Sequence, residues 1–360
     1  MAAVRKYVSL APRTGIISVL AVFAVIAALG IVPLVVKNTY LLHIMILIFL
    51  SVLLGSSWNI LGGYTGQYSV GHAAYYGIGA YTTLILLEYH HVAPWYGAWA
   101  GMAAAAVVAL IIGATCFRLR GPYFVLASIA VTEILRFTAL NLKNLTNGAE
   151  GILATEIPPL TFHGRVITDF LTKVPFYYTG LALVIAVIAA TRLVERSKLG
   201  YYFQAIREDQ DAARSLGINL TFYKNTALVL SALFTSLGGS LYALYVGFID
   251  PPTVMGLDLS VQIVLICIIG GVGTLFGPVI GAVVLIPLSE GLRSNFIAEE
   301  LINWGLVRAD SQTGMFLKEN LGHAHVLIYG ILVVLVILFM PDGILGFLKN
   351  VAARRRKAGV

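Results

Sequence analysis

The chain has 360 residues, 59% hydrophobic and 11% charged, with a formal net charge of +7 and a mean hydropathy of +0.87. A soluble domain carries about 25% charged residues, so this chain has too few to coat a globule, and a soluble enzyme or nucleic-acid-binding domain is excluded. Its apolar runs are about 20 residues long rather than alternating segments of about 10, which makes the fold class all-α, a polytopic membrane helix bundle.

In chain order, a basic segment, 1–15, with Arg5, Lys6 and Arg13, precedes an apolar run at 16–36. That run is too long for a signal-peptide core and no A-x-A site follows it, so it reads as a retained helix. Further runs fall at 41–61, 66–87, 95–117, 122–142, 176–194, 225–249, 258–270, 274–292 and 324–346. The expected total is about ten crossings, some of them broken or short. As one helix, 258–292 would measure about 52 Å against a hydrocarbon core of ~30 Å. IIGGVGTLFGP at 268–278 supplies the break.

With a cytoplasmic N-terminus, 16 of the 24 Lys and Arg fall on inner segments, the asymmetry that sets membrane orientation. Both termini are then cytoplasmic, the transmembrane domain is 16–346 and a basic tail occupies 347–360. Two outer loops, about 143–175 and 293–323, are too short for separate domains and read as small caps or short amphipathic helices. The inner loop 195–224 is the most charged stretch of the chain. Cys116 and Cys267 lie in apolar segments and read as buried small hydrophobes.

GGYTGQYSVGHAAYYGIGAY, 62–81, holds six glycines, five tyrosines, a glutamine and a histidine. Gly62, Gly63 and Gly66 can open the backbone, and Gln67, Ser69 and His72 add polar groups. An irregular backbone at membrane depth is tolerated where it lines a cavity or is buried in protein. The segment is therefore a candidate for a translocation pathway or hinge, or else for bridging between neighbouring helices. Gly270, Gly271, Gly273 and Gly277 lie in the second glycine-rich break.

Small residues recur every four positions in three places: Thr65, Ser69, Ala73 and Gly77; Ser231, Thr235, Gly239, Ala243 and Gly247; and Gly273, Gly277 and Gly281. Such stripes let membrane helices approach closely. Glu133 and Arg136, three residues apart within the 122–142 run, face one side. A charge within a span pairs or faces a cavity, so the two read as an intramembrane polar pair, self-satisfied or functional. No phosphate-loop, H-E-x-x-H, G-x-S-x-G or channel-filter motif is present. No catalytic, cofactor or metal residue is expected.

The inner loop carries QAIREDQDAARSLGIN, 204–219, with helical propensity over Gln204–Leu216 and Gly217 as a C-terminal stop. Its D-A-A-x-x-x-G, Asp211 to Gly217, is close to the E-A-A-x-x-x-G loop of ABC importer permeases. LGGYTGQYSVGHAAYYGIGAYTT (61–83), RLRGPYFVLASIAVTEILRF (118–137), TNGAEGI (146–152) and GGVGTLFGPVIGAVVL (270–285) resemble, in order, blocks of the LivM-type permease subunits of branched-chain amino acid ABC importers. The resemblance covers about 61–346. It implies a multi-pass protein of the bacterial cytoplasmic (inner) membrane, paired with a second homologous permease in a heterodimer. Two ATP-binding cassette ATPase subunits would hold the ATP and Mg, and a periplasmic or extracellular substrate-binding protein would deliver a small amino-acid substrate. In that family the inner loop is the coupling loop to the ATPase, which points here to Arg207, Glu208, Asp211, Ala212, Ala213 and Gly217. By their place in the family's blocks, the resemblance also implies Gly270, Gly271, Gly273 and Gly277 as candidate pathway or hinge positions. Relatives carrying urea, short amides or other amino acids remain alternatives, as does a self-contained secondary transporter using Glu133, Arg136 and His72.

Overall fold

The computed structural model describes residues 16–36, 38–154, 157–158, 160–162, 165–168, 170 and 172–293, together with 330, 331, 334, 338, 340 and 343–347. The segment 1–15, nearly all of the expected outer loop 293–323, most of the run 324–346 and nearly all of the basic tail lie outside the described residues.

The elements are α1 (Ile16–Val35), α2 (Thr39–Thr65), α3 (His72–His90), α4 (Pro94–Cys116), α5 (Pro122–Asn141) and α6 (Lys143–Thr146). A 3-10 turn (Gly148–Glu150) and strands β1 (Ile152–Leu153), β2 (Leu160–Phe162) and β3 (Arg165–Thr168) follow, then α7 (Lys173–Arg196), α8 (Lys198–Glu208), α9 (Gln210–Ser215) and α10 (Leu220–Val246). The described part closes with β4 (Phe248–Ile249), α11 (Pro251–Met255), α12 (Leu257–Gly270) and α13 (Gly277–Arg293). Local signals set many of the boundaries. Pro94, Pro122 and Pro251 stand in the first turns of α4, α5 and α11, where a missing N–H costs nothing. Asn38 and Asn219 cap α2 and α10 with their side-chain oxygens.

Among the described residues six helical stretches are long and apolar enough to cross a membrane: α2, α4, α5, α7, α10 and the α11–α12 stretch Pro251–Gly270. Shorter apolar helices lie at Ala24–Val35 and Gly277–Gly291, and α3, rich in tyrosine, runs inside the bundle. The chain is thus a multi-pass helical membrane protein. The most apolar windows of α2 and α10 are 72% and 67% buried, those of α4 and α5 only 28% and 22%. The first two therefore form the centre, and the other two turn most of their apolar surface outward.

α3 is gripped between α10 and α4. A Cβ at Gly79 would strike the Ser236 carbonyl and one at Gly239 the Tyr76 carbonyl, while Gly101 lies over Gly79. The sequence stripe on α10 is borne out here: Ser231, Thr235, Gly239 and Ala243 are buried. Gly247 stands just past the helix as its left-handed cap. Cys116 and Cys267 are free and buried, as expected.

Four expectations are corrected. The run 66–87 is not one helix: α3 begins at His72, so Thr65 and Ser69 do not share a helical face with Ala73 and Gly77. Gly273 likewise precedes α13 instead of extending its stripe. The helix expected over Gln204–Leu216 is split at Asp209, whose carboxylate accepts from the N–H groups of Asp211 and Ala212 and starts α9 afresh. The segment after α5, expected to form a small cap or short helices, holds strands besides the short α6. β2 and β3 pair antiparallel with a bulge after Leu160, and β1 pairs antiparallel with β4 beyond the end of α10.

Candidate functional site

The glycine-rich segment of α2 and α3 contains a real backbone break, which begins at Gly66, the last of the three glycines expected to open it. Gly62 and Gly63 remain helical, Gly62 beneath the Trp58 ring. α2 ends because Gly66 takes φ +68 and returns its N–H to Leu61 O. The chain then leaves the helical path until His72. In a bilayer each unsatisfied backbone group costs several kcal/mol, and neighbouring helices meet these. Trp58 Nε1 donates to Ser69 O (2.7 Å), Ser128 Oγ accepts from Val70 N (3.0 Å), Ser69 Oγ accepts from Gly71 N (3.2 Å) and Ser260 Oγ accepts from Ala73 N (3.0 Å). Gln67 is buried and donates to Thr65 O.

His72 opens α3 fully buried, its Nε2 2.7 Å from Ser231 Oγ. Ser231 donates its own proton to Ser57 O at 2.7 Å, so Nε2–H is the donor to Ser231 and the ring is the Nε2 tautomer. The chain His72–Ser231–Ser57 ties α3, α10 and α2 together.

The second break, Gly271–Phe276, separates α12 from α13 where the sequence places it. Gly271 and Gly273 have positive φ, and Thr274 Oγ1 donates to Gly271 O at 2.7 Å. Gly270 and Gly277 meet so closely that a Cβ on Gly270 would strike the Gly277 carbonyl. Asn59 clamps this turn to α2: its Oδ1 accepts from Gly273 N at 2.8 Å and its Nδ2 donates to Thr274 O at 2.9 Å.

The charged loop 195–224 meets both breaks. α8 packs against α2 and α7, and Arg207 near its end donates from Nη1 to Gly63 O at 2.7 Å. The Arg207 stem lies against Gly66, and its guanidinium fills the space a side chain at Gly273 would need. Arg207, Glu208, Asp211, Ala212 and Gly217 are exposed, while Ala213 is buried against Ile206 and Leu220. Gly217 has φ +82 in open space. Asp211 pairs in a fork with Arg120 from the α4–α5 loop, at 2.9 and 3.1 Å. The hydrogen bonds and charge of Arg120 hold the Asp211 carboxyl below its ordinary 3.8. Buried Lys224 in the first turns of α10 donates to Gln210 Oε1 of α9 at 2.8 Å. Glu133 and Arg136 stand apart on α5 and pair with each other at 2.6 Å.

Sequence reasoning missed Asn59, Trp58, Ser128, Ser260, Lys224 and Arg120 as parts of this arrangement. A signal existed for Asn59, an amide within an apolar run, but its partners lie more than 200 residues away.

Residues 40–337, which include both breaks and the α8–α9 loop, match the family model described as branched-chain amino acid transport system, permease component. The chain belongs to this family. The permease is 30% identical over 262 residues to the high-affinity branched-chain amino acid transport system permease protein LivM of Salmonella typhimurium, a match covering 67% of this chain and 61% of the relative. LivM of Escherichia coli is 29% identical over the same shares. The corresponding LivH protein of Escherichia coli is 25% identical over 320 residues, 83% of this permease and 94% of that protein. The matches to LivM thus span about three fifths of that relative's length. No solved structure matches the permease.

Proposed function

We propose that the permease is a transmembrane subunit of an ATP-binding cassette importer of the cytoplasmic membrane, carrying branched-chain amino acids. The match over 40–337 to a permease family named for that transport is the observation that supports the reading most strongly. The similarity to both LivM and LivH fits a heterodimer of two related permeases. In this reading ATP and Mg bind two separate ATPase subunits that dock on the α8–α9 loop from the cytoplasm. A binding protein delivers substrate on the other side, where β2 and β3 belong, and both termini are cytoplasmic. Closure of the ATPases displaces α8 and α9, and the bundle alternates between inward-open and outward-open states about the breaks at 66–71 and 271–276. The pathway runs beside Gly62, Gly63, Gly66, Gln67, Ser69 and His72 and past Gly270, Gly271, Gly273 and Gly277. Glu133 and Arg136, satisfied by each other, have no part in coupling.

The test is copurification of the tagged permease from its native host in mild detergent. A second permease and two Walker-motif subunits are expected in the complex. Recovery of the permease alone, with proton-driven uptake into liposomes, would overturn the proposal.

A further inference from the structure

The two backbone breaks lie about 200 positions apart in the chain, and one side chain touches both. α2 has no basic residue in its own last turn, and neither has α12. A helix C-terminus carries about half a negative charge and leaves its last four carbonyls without helical partners. Arg207, from a different helix, supplies what α2 lacks: its Nη1 donates to Gly63 O, one of those last carbonyls. The same guanidinium lies against Gly273, in the turn that follows α12, where an added Cβ would strike Nη1 and approach Cζ within 3.1 Å. Further down the side chain, Cγ and Cα pass within 3.3 and 3.5 Å of where a Cβ on Gly66 would stand. The left-handed cap that ends α2 and the glycine that turns the second break are therefore both shaped around Arg207. Asn59 completes the junction by fastening Gly273 and Thr274 to α2.

We infer that Arg207 is a positioning residue for transport. It links the end of α8 to both breaks, so that displacement of α8 frees the 271–276 turn from the end of α2. This rests on the importer reading. Arg207 is exposed like Asp211, Ala212 and Gly217, but its guanidinium is committed to Gly63 O and the Gly273 turn. A lysine at 207 would offer one compact point charge in place of a planar fork. It could neutralise one helix end but not fill the space between the two.

The experiment compares Arg207→Lys and Arg207→Gln with the wild type in the purified complex in proteoliposomes, reading subunit composition, ATP hydrolysis and substrate uptake. Wild-type assembly and hydrolysis test the importer reading; only the variants test Arg207. The expected result is unchanged composition and hydrolysis within about twofold for both Arg207 variants, with at least tenfold more ATP consumed per substrate moved. Arg207→Lys, which keeps the charge on α8, carries the decision if Arg207→Gln does not assemble. Loss of the ATPase subunits would make Arg207 a docking contact and overturn the inference. Proportional loss of hydrolysis and uptake would make its role structural and overturn it equally. A second readout is the double-mutant cycle with Gly273→Ala. Because the added methyl group meets the guanidinium, Gly273→Ala is expected to lower uptake severalfold more in wild type than in Arg207→Gln. Equal effects in the two backgrounds would contradict the shared space.

Discussion

Gly239→Ala offers a demanding check on how α3 is held. The added methyl group would overlap the Tyr76 carbonyl oxygen, with the carbonyl carbon at 2.8 Å and the Cα at 3.1 Å. Those are backbone atoms, so no rotamer change relieves the contact and α3 must move away from α10. Its other side is closed as well, because Gly101 of α4 lies over Gly79, a Cβ there coming within 3.1 Å of the Gly79 Cα. Moving α3 also stretches Ser240 Oγ to Gly79 O (3.1 Å), Thr83 to Ser240 (2.9 Å) and His72 to Ser231 (2.7 Å). Overpacking costs about 1–3 kcal/mol and each weakened buried hydrogen bond about 1 kcal/mol. The expected loss is therefore ~4–6 kcal/mol. At about 2 °C per kcal/mol in a chain of this size, the apparent unfolding midpoint in detergent, at fixed scan rate, should fall by roughly 8–12 °C. Gly30→Ala, where nothing lies within 4 Å, is the control and should be neutral or slightly stabilising. If the two variants unfold together, the close crossing of α3 and α10 is wrong.

Asn59→Ala removes both bonds to the 271–276 turn and leaves a part-buried N–H and C=O without that partner. It should destabilise by ~2–4 kcal/mol and lower uptake, and uptake at the wild-type level would argue against the clamp. Removing one partner of the Glu133–Arg136 pair should cost several kcal/mol, whereas Glu133→Leu with Arg136→Leu should be nearly neutral; ATP-driven uptake by the double variant checks that the pair carries no proton. Arg120 depresses Asp211, so the pair favours docked α9 at any pH above 3.8, and that preference is lost only as pH falls through the lowered value. Amide exchange in α9, corrected for its intrinsic pH dependence, should stay flat from about pH 8 to about pH 5; a rise within that window would contradict the pairing.

Helix positions were largely legible because a bilayer demands long apolar runs, and most ends fell within a few residues of proline, asparagine or glycine signals. The second break was legible because 35 apolar residues overrun a single crossing. At the first, only the last of the three candidate glycines makes the break. Gly62 and Gly63 look like breakers, yet they serve close packing under Trp58 and beside Asn59 and Gly273. Gly66 ends α2 with φ +68, with the Arg207 stem lying against it. Asp209 hid a second boundary, because an aspartate in a charged amphipathic run reads as surface charge until its carboxylate is seen capping α9. The coupling assignment of the loop came from its resemblance to importer permeases. That the Arg207 guanidinium reaches Gly63 O could not be read, since its acceptor is a main-chain oxygen 144 positions away.

The central claim is tested most directly by reconstituting the complete complex in proteoliposomes with its ATPases facing the ATP compartment and the binding protein opposite, and measuring uptake of radiolabelled leucine. The account predicts accumulation that requires ATP and the binding protein and that fails when the ATPase sites are inactivated. Leucine uptake by the permease alone, driven by a proton gradient without ATP, would contradict it.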